Sequence, residues 1–336
     1  MNQSVSVYYD ETYLNDENCH GHVLFFVPDQ IETSDESPLF GKISNSYSPR
    51  QDLLREISII RGEKGKDHKF HFSNVSGTKW GKTDDLTKKM INMLIDSLRS
   101  KGILTFKRPV CCKVAILYYP KSAKTHLFGG DSKKEKRLRF TETTLRILLK
   151  GACHFLYDEN HKITVSRIIV DGFPAHREFD DNRIIGKLNA EVENNRTPLR
   201  NYVEFAPDIQ ITHILSDHTR YDSSSIEYED ANLLQCADLL LGSINYAIFQ
   251  PGWTGEKHFQ IGEQCDNKKR FLSRSISVML HKLDRKAGFV NSSHYLSFSV
   301  SKLIFEEEEL TFQNLEDLVV LGPKPDSNQP QLPCVE

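Results

Sequence analysis

The order in which hydrophobic periodicities follow one another constrains this chain more than any single residue does. Val5-Ser-Val-Tyr-Tyr9 alternates apolar and polar positions, and a second apolar run, His22-Val-Leu-Phe-Phe-Val27, follows a polar turn that contains Gly21; together they predict a β-hairpin. Residues from about 28 to 48 are rich in Ser, Pro, Asp and Glu and read as a surface excursion. Gln51 to Ile60 restores helical or mixed periodicity, Lys69-Phe-His-Phe72 reads as a short aromatic strand, and Leu86, Met90, Leu94 and Leu98 recur at helical spacing in a helix from about Thr83 to Arg99. Then come a strand from Val110 to Tyr119, a helix from about Glu135 to Leu156, a strand from Thr164 to Val170, a polar helix from about Asp180 to Glu193, a strand from Ile209 to Leu215, and an apolar helix from about Asp230 to Phe249.

Two antiparallel strands followed by strands that alternate with crossover helices predict an α/β fold, a mixed sheet flanked by helices, in the order of a ribonuclease H-like domain. That domain would span residues 1–250 with a helical insertion at about 28–108. Residues 251–320, with a Lys/Arg-rich helix at roughly 268–286 and weak strands, read as an appended α/β subdomain, and the proline-bearing stretch 321–336 as a disordered tail. A net charge of -3 places any polyanion binding on local basic patches. The seven cysteines form no Cys-x-x-Cys pair and lie mostly in apolar segments, against a zinc ribbon or a disulfide framework. With no basic-then-apolar leader and no apolar run of bilayer length, the expectation is a cytoplasmic protein without a membrane partner.

Three acids stand out against this frame. Asp238 lies within Asn232-Leu-Leu-Gln-Cys-Ala-Asp-Leu-Leu-Leu-Gly242. At about 3.6 residues per turn it shares a side with Leu234, Leu241, Asn245 and Ile248, with Gln235 one turn before it and Gly242 one turn after. An ionised Asp on an apolar helix face needs something to offset its desolvation. Asp10 closes the strand from Val5, and Asp171 closes the strand from Ser166. Asp171-Gly172 and Asp10-Glu11 also fit plain turns, and Asp238 also fits a hydrogen-bonded structural acid. If the three converge, their mutual repulsion calls for a hard cation, and oxygen-only ligation selects Mg²⁺ or Mn²⁺. Two such ions about 3.5 to 4 Å apart can activate a water and stabilise a leaving oxygen in phosphodiester hydrolysis.

At these residues the chain resembles the family known as domain of unknown function 3800, a ribonuclease H-like group. Its members begin with a strand ending Asp-Glu-Ser-Gly, carry a middle strand ending in Asp, and have a late helix reading Leu-Gln-x-Ala-Asp-Leu. The matching pieces are Asp10-Glu11-Thr12-Tyr13, Ile168-Ile169-Val170-Asp171, and Leu234-Gln235-Cys236-Ala237-Asp238-Leu239, with Asp222-Ser223-Ser224-Ser225 similar to the family's approach to that helix. Thr12 and Tyr13 replace the Ser and Gly, and the family's Glu-x-Lys strand has lost its acid at Lys69-Phe70-His71. The resemblance spans about residues 5–248 and implies nuclease chemistry, in a setting of defence against phage.

Further candidates follow from position. Ribonuclease H-like enzymes draw another acid from the first long helix, which points to Glu142 as a metal ligand; an exposed helix acid is its plain alternative. Glu11, beside Asp10, is a further catalytic candidate: it points to the opposite face of an ideal strand but reaches the site if the strand ends there. Asp217, His218 and Asp222 follow a strand and could supply a ligand or a proton shuttle, with Ser224 and Gln235 as accessories. Lys133, Lys134, Lys136, Arg137 and Arg139 form the densest basic track, behind a Gly129-Gly130 loop, and fit backbone contacts to DNA or RNA; a solvated helix start fits them too. The leading expectation is a metal-dependent nuclease. The others are a non-catalytic module binding nucleic acid or protein, and an effector released by a regulatory partner protein.

Overall fold

The computed structural model describes residues 3–14, 19–32, 36–37, 41–42, 46–75, 81–98, 112–120, 131–157, 162–172, 179–193, 198–249, 268–269, 272–273, 276, 298–306 and 309–314. The first strands, β1 (Gln3–Leu14) and β2 (Cys19–Glu32), form the expected antiparallel hairpin. Three two-residue strands, β3 (Glu36–Ser37), β4 (Gly41–Lys42) and β5 (Ser46–Tyr47), lead to helices α1 (Pro49–Arg61) and α2 (Lys82–Leu98). Then follow β6 (Lys113–Pro120), α3 (Lys133–Leu156), β7 (Ile163–Asp171), α4 (Asp181–Glu193), β8 (Val203–Phe205), β9 (Ile211–Ile214), α5 (Ile226–Phe249), β10 (Phe298–Glu306) and β11 (Glu309–Asn314).

These strands build a mixed sheet in the order β11-β10-β6-β2-β1-β7-β8, with β9 also on β7 and β5 on β2. β1 pairs in parallel with β7, β7 with β8 and β9, and β6 with β10. Because β2 is antiparallel to both β1 and β6, the parallel strands all end along one edge. In open α/β sheets that edge is where ligands bind. One expectation needs correction here. The strands of the segment expected as an appended subdomain extend the main sheet through β10, and Leu272 and Ile276 lie in its core. The tail at 321–336 and the Gly129-Gly130 loop lie outside the described residues.

Strand alternation divides the core into two layers. Tyr8, Val23, Phe25, Val114, Ile116 and Ile169 face α1, α2 and α5. Val7, Tyr9, Leu24, Phe26, Leu117, Ile168 and Val170 face α3 and α4. Helix α5 touches β1 and β2 as well as α1 and α2, so its Leu233, Leu234, Cys236, Leu239, Leu240 and Leu241 are all buried. That double coverage explains why the helix is apolar on nearly all sides. The described cysteines Cys19, Cys112, Cys153 and Cys236 are buried and free, and no helix among the described residues is long and apolar enough to cross a membrane.

Candidate functional site

Asp10 and Asp171 come to the same place through strand register. The last residues that pair β1 with β7 are Tyr9 and Val170, so Asp10 and Asp171 follow side by side on strands about 4.8 Å apart. Both share the sheet face of Tyr8 and Ile169, the face that α5 covers. Asp10 does not close its strand: β1 continues to Leu14, and Asp10 pairs with Val23. Asp238 looks onto this place from α5. Between Ala231 and Leu241 it alone is not buried, which corrects the expectation of a fully buried acid.

Each carboxylate has one oxygen held by a backbone amide. The Glu11 N–H donates to Asp10 Oδ1 at 2.8 Å, the Ser216 N–H to Asp171 Oδ1 at 3.2 Å, and the Phe72 N–H to Asp238 Oδ2 at 2.8 Å. The charges reach one another. Burial, then the charges of Asp238 and Asp171, push the Asp10 carboxyl well above the ordinary range.

A histidine absent from the sequence-based candidates joins the acids. His71 Nδ1 lies 2.9 Å from Asp238 Oδ2. That hydrogen bond is the largest influence holding its pKa above the usual value, with a smaller contribution from Asp171. The segment that carries it is not the expected strand. Residues 68–71 run outside any strand, with His71 extended at φ -147 and ψ 125, and Phe72–Asn74 closes into a 3-10 turn. Its amides bond to side chains of α5: Phe70 N–H donates to Gln235 Oε1 at 2.8 Å and Phe72 N–H to Asp238. Gly242 makes this approach feasible. A Cβ there would lie 2.4 Å from the Phe72 side chain, so any larger residue would push the segment off the helix one turn beyond Asp238.

Gln235 and His218 serve this scaffold. Gln235 Oε1 also accepts from Arg61 Nη2 at 3.0 Å, and its amide nitrogen donates to the Ser216 carbonyl at 2.5 Å and meets His218 Nδ1 at 3.0 Å. His218 is 1% exposed and its Nε2 sits 2.9 Å from the Lys66 carbonyl. Burial lowers its pKa. Both ring nitrogens are engaged, so His218 braces the segment and is not the expected proton shuttle.

Other expected residues lie elsewhere. Glu11 points to the α3 face, 3.7 Å from His22, away from Asp238. Glu142 is buried and committed: it accepts from the Asp180 N–H at 2.9 Å and from Arg183 at 2.6 and 2.9 Å, tying α3 to α4. A carboxylate so saturated, on the α3 side, is a structural anchor and not a metal ligand. Asp222 accepts from the backbone and hydroxyl of Ser224 in an exposed turn before α5, and Asp217 bonds Thr219 and Arg220. In the basic track, Arg139 pairs with Glu135 one turn earlier at 2.5 Å, while Lys134 and Lys136 stand on α3, across the sheet from α5. The side chains of Lys133 and Arg137 lie outside the described residues.

Comparison with family models, with characterised proteins and with solved structures returned no match to this chain. Among the described residues, no three His, Cys, Asp or Glu side chains are already arranged to hold a metal ion. The three aspartates therefore sit close enough to repel, with oxygens still turned toward amides. The donor set is right for a hard cation, and its excess negative charge is what such a cation relieves.

The cost of that charge gives a test. A carboxyl whose folded pKa lies above its unfolded value of about 3.9 costs nothing below that pH, where both states are protonated. It costs progressively more as pH rises to the folded value, because the unfolded chain ionises first. Asp10→Asn should thus raise the melting temperature of the protein in EDTA, by about 2 to 4 °C per kcal/mol relieved. The gain should be larger at pH 8 than at pH 4.5 in a thermal-shift assay. A gain independent of pH would mean that the Asp10 charge carries no such penalty.

Proposed function

We propose that this chain is a divalent-metal-dependent nuclease with a ribonuclease H-like site, related to the domain of unknown function 3800 family and serving in anti-phage defence. The observation that carries the reading is the meeting of Asp10, Asp171 and Asp238 on one sheet face, from two adjacent parallel strands and a late helix. Three carboxylates gathered at the carboxyl edge of a parallel sheet are costly as a purely structural device. As ligands they recover that cost.

Asp10, Asp171 and Asp238 would hold Mg²⁺ or Mn²⁺, which when bound supplies an activated water and stabilisation of the leaving oxygen. The chain's own residues do the rest. Asp238 is aimed by the Phe72 amide and by His71, and Asp171 by the Ser216 amide. Gln235, Arg61 and His218 brace the loop and segment that carry those groups. The expected substrate contact is with the phosphate backbone.

Incubation of the purified protein with single- and double-stranded DNA and RNA, with Mn²⁺ or with EDTA, tests this. Cleavage that requires the metal is the expected result. A non-catalytic nucleic-acid-binding module is the second reading, favoured by Lys69 standing where the family's Glu-x-Lys strand carries its acid. Strand binding with no cleavage under any metal would select it.

A further inference from the structure

The segment from His68 to Phe72 is pinned to α5 at every second residue, through the Phe70 amide on Gln235 and the Phe72 amide on Asp238, each at 2.8 Å. In an extended chain this alternation has one consequence. Phe70 and Phe72 turn into the core, at 1% and 6% exposure, and Lys69 and His71 turn the other way. His71 shows where that way leads, because its Nδ1 is 2.9 Å from Asp238 Oδ2. Lys69 follows the same side, about 7 Å back along the segment.

Lys69 is half-buried and makes no salt bridge or hydrogen bond among the described residues, although its charge is felt by His71 and by Asp217. Lys269, with Nζ 5.6 Å over the Phe72 ring, brings a second cation to the same segment. The three aspartates repel a polyanion, so a strand that approaches them needs a cation close by. The basic start of α3 stands across the sheet. A phosphate chain that reaches the acids meets Lys69 on the side of the segment where His71 bonds Asp238. Its backbone is fixed on both sides, so little ordering entropy is lost on contact.

We propose that Lys69 receives a non-bridging phosphate oxygen of the nucleic-acid strand beside the carboxylate site. The inference rests on the nuclease reading above and names the contact that holds its substrate.

The test measures binding of fluorescently labelled single-stranded DNA and RNA to the intact protein in Ca²⁺, across a salt series. Lys69→Gln should weaken binding about five- to tenfold, regardless of sequence, and flatten the slope of log affinity against log salt by about 0.7 to 0.9. Lys69→Arg should retain both affinity and slope, and both variants should melt like the wild type. If the wild type binds strands and Lys69→Gln binds equally, or loses affinity with an unchanged slope, Lys69 is not the phosphate contact and the nuclease reading survives. If the wild type binds no strand at all, both fall. Should Lys69→Gln fail to fold, Lys69→Arg with Lys69→Met decides on the same slope.

Discussion

Replacing Asp230 by alanine should cost about 3 to 5 kcal/mol of stability, the range for breaking a buried ion pair by deleting one partner. Asp230 lies two turns before Asp238 on α5 and is 0% exposed. Its Oδ1 accepts from Tyr8 Oη at 3.0 Å, from Arg50 Nη2 at 3.1 Å and from Arg167 Nη1 at 3.1 Å, while Arg167 Nη2 donates to Oδ2. One carboxylate thus joins α1, β1, β7 and α5. Burial disfavours charge on Arg50, yet Tyr8, Glu229 and Asp230 together hold its pKa above the ordinary value. Without Asp230, Arg50 keeps Glu229 at 2.5 Å and the Tyr8 hydroxyl at 3.3 Å, and Arg167 loses the Asp230 carboxylate. Urea denaturation should show the midpoint falling with an unchanged slope. The exposed pair Arg55 to Asp52, at 2.7 Å with Arg55 66% exposed, is the control. Its removal should cost under about 0.5 kcal/mol. An Asp230→Ala protein as stable as that control would show that the buried network contributes little.

An acid on an apolar helix must have its desolvation offset, and on α5 that acid is Asp230, whose arginines lie far away in sequence at positions 50 and 167. Asp238 is partly open and looks onto Asp10 and His71. Periodicity could show that α5 carries acids; only tertiary contacts tell which acid meets cations and which meets other acids. Helices α2 to α5 and the β1–β2 hairpin were legible because their apolar residues recur at fixed spacing. The three-residue β8 carries too little pattern to announce itself, and Lys69-Phe-His-Phe72 imitates a strand because it is extended and alternates. What alternation cannot reveal is that the segment's amides bond to the side chains of Gln235 and Asp238 and not to a neighbouring strand. His71 escaped for the same reason. Glu142 shows the reverse error: a helix acid in a plausible position was already saturated by Arg183 and the Asp180 amide.

Asp238→Asn should remove metal-dependent cleavage by at least about a hundredfold while leaving the protein folded. Substituting even the outer-shell partners of a metal typically costs about 10- to 100-fold, so loss of a direct ligand should cost more. Folding should survive because the amide has the same shape and its oxygen can still accept from the Phe72 N–H that now bonds Asp238 Oδ2. The changes should be confined to charge. The neutral amide would offer His71 no anion, and since the bond to Asp238 is the largest cause of the raised His71 pKa, its NMR titration midpoint should move down toward the ordinary histidine value. Repulsion on Asp10 should ease as well, because Asp238 is the largest charge acting on it after burial. The variant should therefore melt slightly higher than the wild type in EDTA at pH 8 and lose the rise that Mn²⁺ gives the wild type, about 2.7 kcal/mol when the ion is present at a hundred times its Kd. Undiminished cleavage would remove Asp238 from the proposed centre. Lost cleavage with an intact Mn²⁺ stabilisation would leave the ion to Asp10 and Asp171, and would confine Asp238 to positioning His71.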